Sequence, residues 1–185
     1  SLPTSVKLDI VFDETIYIEA SMSEVFDTVV EAVFLVIVVI MLFLGSLRAS
    51  IITLVTIPLS LIATVGVLYV LGFSLNTFTL LALVLAVGLV VDDAIVDVEN
   101  VQRHIDQGHT AIDAAFIGSR EIGFAVIATT LTLVAVYAPV GLLPGTMGRL
   151  FVQFAVTLSV AVLFSGLVSR TLSPMMCSRI LKAGD

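Results

Sequence analysis

Five apolar runs, each about as long as a bilayer is thick, constrain this chain more than any other feature. They cover residues 26–45, 51–71, 77–98, 122–143 and 150–168. A hydrocarbon core of about 30 Å needs about 20 helical residues to cross it. Within lipid the backbone must satisfy its own hydrogen bonds, so such runs fold as helices. Clusters of Gly, Asn, Arg or Ser bound each run, as expected where helices end. Pro58 and Pro139 fall inside the second and fourth runs, where neighbouring helices can satisfy the groups a proline frees. The residues are 59% hydrophobic and 12% charged, beyond the roughly 45–50% apolar usage of soluble domains. That much apolar surface has no soluble interior to enter, and the expected class is an all-α membrane bundle of five transmembrane helices.

Residues 1–20 read differently. In "SVKLDIVFDE", Val6, Leu8 and Ile10 alternate with Lys7 and Asp9, the period of a half-buried strand. One strand is not a domain, so residues 1–20 read as the end of an extramembrane domain and 21–185 as the transmembrane domain. Ser21 and Glu24 have the spacing of a capping box, which would start the first helix ahead of its apolar run. Asp27 and Glu31 would then suit the positive end of the helix dipole.

Orientation follows from the cations. Arg48, Arg103, Arg120, Arg170, Arg179 and Lys182 fall on one side, Lys7 and Arg149 on the other. The positive-inside rule puts the larger set in the cytoplasm, the N-terminus outside and the C-terminus inside. The inner connection, residues 101–121, contains Gly108 as a break and Thr110 as an N-cap for a short amphipathic helix at the membrane surface. His104 and His109 lie there without ligand-like spacing to other donors and read as solvated loop histidines. The net charge of −7 leaves no basic patch for nucleic acid. The single Cys177 allows no internal disulfide and no metal cluster, and it reads as a small apolar-phase residue.

The third run breaks its own rule. In "LAVGLVVDDAIVDVEN", Asp92 and Asp93 sit slightly to the inner side of the centre of the span, and Asp97 follows one turn later. One Asp at that depth costs about 2.5–3.5 kcal/mol on insertion scales. Desolvation and mutual repulsion both favour the protonated form, so one or both should carry a proton for part of the time. Successive helix positions point about 100° apart, so the two acids can reach different neighbouring helices. This is the pattern of a proton-carrying site. The bland alternative ends the helix earlier and leaves both acids in water, but "AIVDV" continues apolar beyond them. Asp97 lies about 40° from Asp93 around the helix and about 6 Å further along it. Beside Glu99 and Asn100 it reads as the first wet residue of the interface, the alternative being an inward extension of the proton path.

"GLVVDDAIVDVENVQRH" resembles the fourth transmembrane helix of resistance-nodulation-division efflux pumps. "PLSLIATVGVLYVLGFSLNTFTL", "SREIGFAVIATTLTLVAVYAPV" and "FAVTLSVAV…TLSPMMC" resemble that family's third, fifth and sixth helices, so the likeness covers nearly the whole chain. The double Asp points to the hydrophobe/amphiphile multidrug branch. Asp97 departs from the family, which usually carries an apolar residue there. The resemblance implies a drug/proton antiporter of the bacterial inner membrane, with protons as coupling ion and no cofactor. It further implies a trimer working with a periplasmic adaptor and an outer-membrane channel on amphiphilic small molecules. Asp92 and Asp93 match the proton-relay pair, and the relay's lysine and other partners belong to the second half of the family's chain. The segment would run from the second to the sixth helix and would not pump alone. Two other readings stand beside this one. A protein-export accessory or scaffold of the same superfamily would share these helices. An intramembrane aspartyl protease would need its two acids on facing helices.

Overall fold

The computed structural model describes residues 14–182, and it is helical nearly throughout: α1 (Glu14–Leu44), α2 (Leu47–Val70), α3 (Thr77–Asp106), α4 (Ala111–Tyr137) and α5 (Gly145–Ile180), with a 3-10 segment at Ala138–Leu142 between the last two. All five helices are long and apolar enough to cross a membrane. The expected five-helix membrane bundle is therefore what the chain forms. The strand read at residues 6–10 lies outside the described residues.

Helix ends follow side-chain chemistry. Ser46 caps α2, accepting from Ala49 N. Asn76 caps α3 by accepting from the backbone of Phe78 and Thr79, while Thr79 Oγ1 accepts from Asn76 N, a reciprocal capping box. Thr110 caps α4 as expected, accepting from Asp113 N. Gly108, at a φ of +96°, turns the chain between α3 and α4. A side chain there would be strained in the left-handed region.

Several boundaries differ from the sequence reading. α1 begins at Glu14, so Ser21 and Glu24 are interior helical residues and not a cap. α3 runs on to Asp106 and α4 starts at Ala111. The surface helix expected after Thr110 is the first part of α4, continuous with the fourth span. Pro139 lies in the 3-10 segment after α4 ends at Tyr137. Pro58 does sit inside α2, and Pro174 sits inside α5. Apolar runs mark where lipid ends, and helices continue past that limit because their polar turns are capped and packed.

α3 and α5 form the centre, in contact with each other more extensively than any other pair. Their meeting faces carry small residues, Ala82, Ala86 and Ala94 on α3 and Ala161 and Ser165 on α5, all buried. Without a hydrophobic drive between helices in lipid, such small side chains allow close backbone approach and dispersion contact. α2 packs against both, and α4 against both from another side. α1 is peripheral: Ile40 is buried with Ile57, Val87 and Val90, but Phe34, Leu42 and Phe43 are exposed.

Candidate functional site

The site is a polar seam inside this apolar bundle, where α2, α3 and α5 meet. α5 presents Ser165, Ser169 and Ser173 at four-residue spacing, all buried. That spacing keeps them on one face of the helix, aimed at α3. α2 presents Thr53, Thr56, Ser60 and Thr64, also buried. Each α2 hydroxyl donates to a carbonyl three or four residues back on its own helix, as Thr64 Oγ1 does to Ser60 O at 2.7 Å. Such back-bonding lets a hydroxyl sit in an apolar phase at little cost. Thr56, Ser60, Ser165 and Ser169 share one narrow void with Val90, Ala94 and Val168, so hydroxyls of α2 and α5 converge beside α3.

The three acids of α3 occupy three different environments. Asp93 is half-buried and faces α5, where Ser165 Oγ donates to its Oδ2 at 2.7 Å. A hydrogen bond to a charged group is among the stronger single contacts, about 1.5–3 kcal/mol. Asp92 is exposed on the outside of the bundle. The two point apart, as their angular offset requires, and do not face one another as a proton-sharing dyad must. Asp97 contradicts the expectation of a wet interfacial residue. It is 1% exposed, and neither carboxylate oxygen has a hydrogen-bond partner. α5 covers it, because a residue four positions after Asp93 returns to the same face of α3.

His104 is also corrected. It is buried, not solvated, and its Nε2 lies 3.0 Å from Glu121 Oε2 on α4. Around it Arg103 Nη2 donates to Glu121 Oε2 at 3.1 Å and to Asn100 Oδ1 at 2.7 Å. Asn100 Nδ2 in turn donates to Gly118 O at 3.0 Å. This network fastens the end of α3 to the first turns of α4. His109 is exposed, as expected. Cys177 is buried in the apolar cluster with Val98, Val101 and Ala114.

Sequence reasoning had found the acids but not their partners. Ser165, Ser169 and Ser173 were visible as a four-residue repeat, yet serine in a membrane helix is common and its spacing alone does not say which helix it meets.

With that geometry in place, comparison with known proteins is informative. A profile of the AcrB/AcrD/AcrF family matches residues 1–185. An uncharacterized transporter of Haemophilus influenzae is 52% identical over 182 residues, 98% of this chain and 18% of its own length. The multidrug resistance protein MdtC of Pectobacterium atrosepticum is 50% identical over 183 residues, 99% of this chain and 18% of its own. MdtC of Escherichia coli K12 matches at the same identity and coverage. The chain thus spans less than a fifth of the length of these relatives.

Proposed function

The chain belongs to the AcrB/AcrD/AcrF family of resistance-nodulation-division transporters, and on that premise we propose that it is the proton-carrying segment of a drug/proton antiporter. Asp92 and Asp93 are its relay acids. The observation that carries this reading is the divergence of two adjacent carboxylates inside an apolar helix. Asp93 is held by Ser165 within the bundle, while Asp92 faces outward with no such support from these five helices.

An ionised Asp in lipid demands a cation or donor. On this reading the partners of Asp92 come from the rest of the transporter chain, which the resemblance supplies with a lysine. Proton uptake removes the demand, releases the partner and lets the helices settle into another packing, and proton release restores it. Moving one charge across the membrane yields about 2.3 kcal/mol per 100 mV, enough to bias such an equilibrium. Export requires that the two packings open the drug path to opposite sides.

The wider assembly follows the same resemblance. The transporter sits in the bacterial inner membrane with the N-terminus of this segment periplasmic and its C-terminus cytoplasmic. Residues 1–20 close a periplasmic domain, amphiphilic small molecules are the substrates, and the trimer works with a periplasmic adaptor and an outer-membrane channel. The name of the MdtC relatives, multidrug resistance protein, supports the substrate class.

The test is made in the full-length transporter. Asp92→Asn and Asp93→Asn should each abolish proton-coupled drug export while leaving expression and trimer assembly intact. Asn preserves shape and hydrogen bonding but does not titrate. Near-normal export by either variant would remove that residue from the relay.

A further inference from the structure

Asp97 has no part in the relay just described, yet it is the most deeply enclosed acid among the described residues that the bundle's apolar spans carry. It is 1% exposed, and both carboxylate oxygens lack a hydrogen bond. The hydroxyls of Ser169 and Ser173 on α5 are buried and equally without partners. Ser173 lies near Asp97 without completing a hydrogen bond. Asp97 and the Ser173 hydroxyl have thus been brought together in one apolar seam, each with unmet capacity, and Ser169 lies one turn earlier on the same face of α5.

An unpaired carboxylate in such a place carries a penalty of several kcal/mol. A protonated one does not. Its O–H can donate to the Ser173 hydroxyl, which meets the unmet capacity of both groups.

The ionised form also has an answer nearby. The charge of Arg170, adjacent to Ser169 on α5, acts on Asp97. The Arg170 guanidinium lies against Gly123 of α4, where even a Cβ would collide with it. Cys177, further along α5, is the other titratable group that interacts with Asp97. On α3 itself Asp93 is engaged by Ser165, and on α4 Glu121 is engaged by Arg103 and His104. α2 brings hydroxyls to the seam, Thr56 and Ser60.

We propose that Asp97 is a third proton-holding carboxyl of this bundle, one turn beyond Asp93 toward the end of α3, with Ser173 as its neighbouring hydroxyl and Arg170 as the counter-charge of its ionised form. The inference rests on reading α3 as the proton-carrying helix, but it concerns a separate group and is tested separately.

The full-length transporter carrying this segment is examined by infrared difference spectroscopy between acid and alkaline pH, which detects the C=O stretch of protonated carboxylic acids. A band should be present that Asp97→Asn removes and that persists in the Asp92→Asn/Asp93→Asn double variant. Replacing Ser173 by Ala should shift the frequency of that band by stripping its partner. If Asp97→Asn does not assemble, this serine variant decides: a shifted band supports the proposal and an unshifted one overturns it. Absence of any Asp97-dependent band at every pH would also overturn it, because Asp97 would then be a permanently ionised partner of Arg170. Failure of the relay reading looks different, since it shows as drug export that survives Asp92→Asn and Asp93→Asn.

Discussion

Three aspartates within six positions of one helix meet three environments: open surface, a hydroxyl partner, and complete enclosure. Helical angle explains the division, because Asp92 turns about 100° away from Asp93 whereas Asp97 returns to within about 40° of it. The unusual acids were legible in the sequence because charge in an apolar run stands out. Their partners were not, because a serine in a membrane helix can satisfy itself. The α2 hydroxyls do so, whereas Ser165 turns to Asp93 and bonds it at 2.7 Å. Only the register between α3 and α5 distinguishes the two behaviours. Removing the Ser165 hydroxyl should therefore act on the titration of Asp93 more than on folding. Ser165→Ala is expected to move the pH profile of export and to lower its rate by about tenfold, the equivalent of about 1.4 kcal/mol, with trimer yield unchanged. An unmoved pH profile would make that bond incidental to transport.

Among the helices, the cores of the spans were readable from hydropathy and the ends were not. α3 and α4 extend through what read as a connection because Asn100, Arg103, His104 and Glu121 satisfy one another there, so polar sequence stays helical. Their packing at this end depends on Gly118. A Cβ at that position would come within 3.2 Å of Val101 Cγ2 and 3.3 Å of Asn100 Nδ2. Gly118→Leu should overpack the contact and cost about 1–3 kcal/mol, seen as earlier thermal unfolding of the detergent-solubilised transporter. Gly118→Ala, a far smaller insertion, should cost less. Equal stability of the Leu variant and the parent would mean that the two helices separate there without penalty.

For the molecule as a whole, the outer helices carry the surplus of apolar surface. Phe34, Leu42 and Phe43 on α1 and Phe116, Phe124 and Leu131 on α4 are exposed to whatever surrounds the bundle. Composition assigns that surface to lipid. The orientation of the bundle has a direct check. Ser74 and Gln107 are exposed and lie in connections at opposite ends of α3. Single cysteines at these positions, in a chain whose buried Cys177 is replaced by Ser, should differ in whole cells. An impermeant thiol reagent is expected to label position 74 and spare 107. Equal labelling would refute the assigned topology.

The network at the base of α3 has a mechanical corollary. Asn100, Arg103 and His104 clamp α3 to α4 just before the tight turn at Gly108, and toward its other end α3 meets α5 through Phe78 against the ring of Phe151. A hairpin pinned at its foot turns there as one piece. A small rotation driven at the level of Asp93 would be delivered to α4 at the pin.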